Sequence, residues 1–122
     1  MATGTIPKNL AADVDTLNSN TGVQEITLQN ATAGGNASFY YKIGHMVTCF
    51  LDLTPNSSGA TLTVCTLPSG CTPPVSLRYT LSPVNHTSTD LGTCYVQVVT
   101  DGRINIYMST AARVFVTMCF AV

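Results

Sequence analysis

Six carboxylates, two histidines and five cysteines are the side chains from which this 122-residue chain could build chemistry. Asp13 and Asp15 fall in an N-terminal lead and Asp101 in a turn. That leaves Glu25, Asp52 and Asp90 for the acid/base pair that glycoside hydrolysis requires. His45 and His86 lie far apart and have no ligand cluster near them. On an extended strand His45 and Cys49 would stand about 13 Å apart, too far to share one metal ion. Gly34-Gly35 does not lead into a helical segment, so it is no phosphate loop. The expectation is a non-enzyme with no metal and no cofactor.

Cys49, Cys65, Cys71, Cys94 and Cys119 form an odd set without a CxxC pair, so at least one thiol is free. The start, Met1-Ala2-Thr3-Gly4-Thr5-Ile6-Pro7, lacks the basic end and apolar run of a signal peptide. Free, mostly buried thiols in a reducing cytosol are therefore expected. Cys65 and Cys71 are the one pair local enough for a bridge. Four Asn-x-Ser/Thr sequons begin at Asn30, Asn36, Asn56 and Asn85, as chance allows in so hydroxyl-rich a chain.

Binding is the chemistry that remains, and binding functions usually sit on polar loops carried by a rigid scaffold. The longest polar loop is 82–92, with Asn85, His86, Thr87, Ser88, Thr89 and Asp90. It offers donors, acceptors and a carboxylate suited to sugar hydroxyls. Arg78 and Tyr79 are near it in sequence. Tyr95, Arg103 and Tyr107 could supply stacking faces across a hairpin. The ligand-binding candidates are Arg78, His86, Asp90, Tyr95 and Tyr107. In an oligomer, a groove between subunits is an equally good candidate.

The elements that must position these residues are strands. Residues 8–20 hold the one helical signal, with Leu10, Val14 and Leu17 at spacings of four and three. Two turns do not stand alone in water, so parallel copies would have to support one another. The alternative is a flexible leader. From residue 23 the period becomes two. Ile26 and Leu28 alternate with Glu25 and Thr27, and Ala31 to Asn36 reads as a loop. Phe39, Tyr41 and Ile43 alternate with Tyr40 and Lys42. After Gly44, Met46 to Leu53 place Val47, Cys49, Leu51 and Leu53 on one side. Met46 and Phe50 lie on the other, so cover on both faces is expected.

Pro55-Asn56-Ser57-Ser58-Gly59 is a turn. Leu62 and Val64 then alternate with Thr61 and Thr63. Three prolines between Leu67 and Pro74 make a connection, because proline removes ladder donors. Val75, Leu77, Tyr79 and Leu81 alternate with Ser76, Arg78 and Thr80. Cys94, Val96 and Val98 oppose Tyr95 and Gln97. Asp101-Gly102 marks a hairpin, after which Ile104, Ile106 and Met108 face away from Arg103, Asn105 and Tyr107. Val114, Val116, Met118, Phe120 and Val122 share a face of the last strand, with Phe120 and Val116 expected in the core. The chain ends there, so its C-terminus is expected to be tied into the sheet.

About eight closely spaced strands read as one all-β domain, an antiparallel β-sandwich or jelly-roll-like head over 23–122. A helical or extended lead-in over 1–22 precedes it. No stretch approaches the roughly 20 apolar residues of a membrane helix. Only 9% of residues are charged, against about a quarter in an average domain, and 19 are threonine. A net charge of −1 without a basic run argues against nucleic acid and anionic membranes. Charge-poor surfaces are typical where proteins meet, which points to cover by copies of the same chain.

The order of motifs resembles the C-terminal head, or knob, domains of bacteriophage tail-fibre, baseplate and minor structural proteins. The residues that carry it are Phe39-Tyr40-Tyr41-Lys42-Ile43-Gly44, then Leu67-Pro68-Ser69-Gly70-Cys71-Thr72-Pro73. After a strand and a polar loop comes Val98-Val99-Thr100-Asp101-Gly102-Arg103-Ile104-Asn105-Ile106-Tyr107, and a valine-rich strand closes the chain. The resemblance covers about residues 23–122. It implies a homotrimer in a virion, assembled in the host cytoplasm, that binds a saccharide or protein on a host cell. The chain has no Trp, the residue that sugar sites often use as a platform. A structural trimerisation cap and a C1q/TNF-like recognition domain of a cellular organism are the alternatives.

Overall fold

A computed structural model describes residues 21–83 and 93–122. The described strands are β1 (Gln24–Glu25), β2 (Ala31–Ala33), β3 (Phe39–Ile43), β4 (Met46–Pro55), β5 (Thr61–Thr66), β6 (Leu77–Thr80), β7 (Ser82–Pro83), β8 (Cys94–Val98), β9 (Arg103–Met108) and β10 (Val114–Ala121). There is no helix among the described residues. The helical reading of 8–20 lies outside them, as do His86 and Asp90.

The strands form two antiparallel sheets packed as a β-sandwich. One runs β1-β3-β4-β10-β7, with β2 also paired to β4; the other runs β5-β9-β8-β6. The alternation read from the sequence sets which residues point between them. Val47, Cys49, Leu51 and Leu53 from β4 and Val114, Val116, Met118 and Phe120 from β10 meet Val96, Val98, Ile104, Ile106 and Met108 from the opposing sheet. Register between β4 and β10 is continuous from Val114↔Leu53 to Ala121↔Met46. A one-residue slip would turn that whole apolar set outward, so burial fixes the register.

Turn chemistry sets the hairpins. Ile43 pairs with Met46 across the two-residue loop Gly44-His45, where Gly44 has φ 59°. Glycine at the first loop position is the signature of a type II′ turn. Between β8 and β9, the Gly102 amide donates to the Val99 carbonyl and Gly102 has φ 94°. This is a turn closed by a left-handed glycine, as the Asp101-Gly102 signal indicated. At the C-terminus, the Val122 amide donates to the His45 carbonyl at 2.8 Å.

Four sequence expectations need correction. Residues 31–36 are not all loop, since Ala31–Ala33 pair with Leu53–Pro55 of β4. Alanine has little strand preference, so the local signal is absent; the long β4 supplies the partner. The loop assigned to 82–92 begins later, because Ser82 and Pro83 pair with Phe115 and Val114. Proline is tolerated there because β7 is an edge. Strand β6 starts at Leu77, and Val75 is exposed. Finally, the side of β4 that carries Met46 and Phe50 is covered only around Asp52.

Candidate functional site

The outer face of the four-stranded sheet is a regular array. Cross-strand pairs Thr80↔Tyr95, Tyr95↔Tyr107 and Tyr107↔Thr61 make one rank from β6 to β5. Two residues along, Arg78↔Gln97, Gln97↔Asn105 and Asn105↔Thr63 make a second. At about 4.8 Å between strands and 3.4 Å per residue, each rank is about 14 Å long and the two lie about 7 Å apart. One rank carries rings between threonines, and the other carries amides between a guanidinium and a threonine.

Three of the five ligand-binding candidates meet here. The Tyr95 and Tyr107 rings stack with centroids 5.5 Å apart and planes 16° from parallel. The Arg78 guanidinium carbon lies 4.0 Å from the Tyr95 ring centroid. Strand order puts Arg78 and Tyr107 on opposite sides of Tyr95, so both faces of that ring are engaged. Among the described residues the cross-strand partner of Tyr107 on its far side is the small, exposed Thr61, and its outer face is the one suited to a further ring. Tyr95 therefore acts as a spacer that orients its neighbours.

The alternation that places Tyr95 and Tyr107 on one face also places Gln97 and Asn105 there, two amides outside the five sequence candidates. Thr63 donates its hydroxyl to Asn105 Oδ1 at 2.6 Å. That bond fixes Asn105, which is only 9% exposed, so Gln97 is the accessible amide of the rank. Arg103 lies at the end of the same face and is held by Asp101, Nε to Oδ2 2.8 Å. The Arg103 backbone amide, with its side chain, holds the Asp101 carboxyl below its ordinary range. Among the described residues the surface has no pocket, so this site is an open face.

The carboxylate weighed for acid/base chemistry is committed elsewhere. Asp52 is buried on the outward side of β4, beneath residues 34–36 and Arg113. It accepts from Arg113 Nε at 2.9 Å and Nη2 at 2.8 Å, and from the Asn36 backbone and side-chain amides at 2.9 and 3.0 Å. The Arg113 bonds are the main cause that holds its pKa down at about 2, with Asn36 assisting against the cost of burial. The Gly34 amide donates to the Asp52 carbonyl at 2.9 Å, and any Cβ at Gly34 would overlap the Asp52 carboxylate. This group is an anchor for the 34–36 loop. Neither Asp52 nor the exposed Glu25 contributes to the array.

All five cysteines carry free thiols, including Cys65 and Cys71. Burial pushes the Cys49 and Cys71 thiols up and raises Cys65 to about 12, which suits packing and not nucleophilic attack. Among the described residues, no three His, Cys, Asp or Glu side chains converge as a metal site.

The outer face of the other sheet is apolar. Tyr41, Phe39, Phe50 and Phe115 form a continuous run of ring contacts across β3, β4 and β10, with centroid separations of 5.5–6.4 Å. Ile43 and Met46 extend it and are 55% and 44% exposed. Thr48, Thr117 and the exposed Cys119 fill the gaps. Among the described residues its border carries two charges: Arg113, which lies 5.2 Å from the Phe115 ring and is paired with Asp52, and the exposed Glu25, which pairs with Phe39 at the β1 edge. Comparison with protein-family models, curated protein sequences and solved structures finds no match.

Proposed function

We propose that the chain is a receptor-binding head of a phage tail fibre or baseplate, assembled as a homotrimer, that takes a host-surface saccharide on the outer face of the four-stranded sheet. The observation that carries this reading is the rank of rings beside the rank of amides. Sugars offer hydroxyls to amides and C–H faces to rings, and this face presents both in fixed register. The order of motifs along the sequence supports the phage lineage. An open face gains little per site after desolvation. Copies held on one axis make later contacts intramolecular and add avidity.

Tyr107 is the residue to remove. On a multivalent glycan array, Tyr107→Ala is expected to lose about tenfold or more of the wild-type signal, since stacking on one aromatic face is worth about 1–3 kcal/mol in comparable ring-on-ring sites. The oligomer and its melting should survive. Undiminished binding would exclude this face. His86→Ala with Asp90→Ala forms a separate arm for loop 82–92, and undiminished binding by that pair would remove the loop from the site. Wild-type protein that bound no presented glycan and no host cell would leave the structural-cap reading in its place.

The apolar outer face of the larger sheet supports assembly. Contiguous apolar patches beyond a few hundred Å² are rare on monomers, and a face with so little charge suits burial against neighbouring copies of the chain around a three-fold axis. Thr117 is exposed and pairs with Phe50 at the centre of that face. Light scattering at micromolar concentration should give a trimer mass for the wild type and a monomer mass for Thr117→Glu, whose carboxylate could not be buried unpaired. A wild-type monomer, or an unchanged trimer in the variant, would count against this interface.

A further inference from the structure

We infer that the saccharide taken on the ranked face is an acidic one, with a sugar carboxylate held by Arg78; this rests on the saccharide reading above. The first support is charge. The face holds two guanidiniums, Arg78 and Arg103, and one described carboxylate, Asp101. Asp101 is ion-paired with Arg103 at 2.8 Å, and Arg78 has no ion-pair partner among the described residues. Among the described residues the face therefore carries an excess positive charge, on a chain whose net charge is −1.

The second support is geometry. Arg78 is exposed, yet its guanidinium is laid on the Tyr95 ring at 4.0 Å. A guanidinium held over a ring by its charge keeps N–H groups free to donate. Its planar edge matches the two oxygens of a carboxylate, and a group already held in place loses less entropy on binding. Arg78 also stands at the head of the amide rank, opposite Gln97 and then Asn105. A saccharide lying across the strands would put its carboxylate on Arg78 and its hydroxyls over Gln97, with the buried Asn105 beyond it. Its next ring would then reach Tyr107, two strands across and one rank along, about 12 Å from Arg78.

Matched probes test this. Oligomers of galacturonate and of glucuronate, and sialyllactose, are each immobilised beside their own methyl esters, which keep the ring and lose the charge. At least one acid should bind about tenfold or more tighter than its ester, the range of a charge-assisted bond pair. Arg78→Gln should abolish that preference with melting and oligomer mass unchanged. Equal binding of acid and ester in every pair, with neutral glycans bound, would overturn the acidic assignment and leave the saccharide reading standing. An acid preference that survives in Arg78→Gln would overturn the role of Arg78. Failure to bind any glycan, acidic or neutral, would overturn the saccharide reading itself.

Discussion

Phe120→Ala is expected to lower the unfolding free energy by about 3–5 kcal/mol, the usual cost of emptying a buried aromatic site. Phe120 is 4% exposed, on the face of β10 that also buries Val114, Val116 and Met118. It sits opposite Val47 near the end of the longest ladder among the described residues, so the cavity would open between the sheets. A domain of this size has about 5–15 kcal/mol in all. Urea denaturation at fixed protomer concentration measures the loss without confusing it with assembly. A change below about 1 kcal/mol would mean that the core does not depend on this ring.

Asp52→Asn is expected to cost about 2–3 kcal/mol at neutral pH, because the bonds to Arg113 and Asn36 favour the ionised form. The sign follows from the depressed pKa. Folded Asp52 titrates at about 2, whereas an unfolded aspartate titrates at about 3.9. Its contribution is complete above about pH 5 and is lost as pH falls through about 2. The stability gap between wild type and Asp52→Asn should therefore be constant from pH 5 to 7 and narrow steadily below about pH 4. Arg113 is 41% exposed and rehydrates when freed, so the cost stays below that of a buried orphan charge. A gap that did not change with pH would show that the carboxylate is not held as an ion.

Alternation made the core of β4, β8, β9 and β10 legible, because a half-buried strand writes its inside and outside in every second residue. It failed where tertiary contacts override the period. Val64 and Cys65 are both buried because a bulge shifts the register between Thr63 and Cys65, and no local residue announces it. Asp52 has outward parity but is buried, since the lid over it comes from residues 34–36 and from Arg113, sixty-one positions away. The proposed face was legible in part for the same reason. Parity put Tyr95 and Tyr107 together, while the strand order that brings β6 beside β8 was needed to lay Arg78 on Tyr95. That order also shows that Tyr95 has no free face.

The two outer surfaces thus differ in kind on one scaffold. The larger sheet turns rings and hydroxyls outward with almost no charge, and the smaller sheet turns rings, amides and an exposed guanidinium outward. On the proposed reading, the larger sheet's face assembles the copies and the smaller sheet's face binds the saccharide. The most direct test is amide chemical-shift mapping of the domain during titration with the best array glycan. The account predicts the largest shifts at Arg78, Tyr95, Gln97, Asn105 and Tyr107, with the face of Tyr41, Phe50 and Phe115 unmoved. Shifts concentrated on that apolar face, with none on β6, β8 and β9, would contradict it.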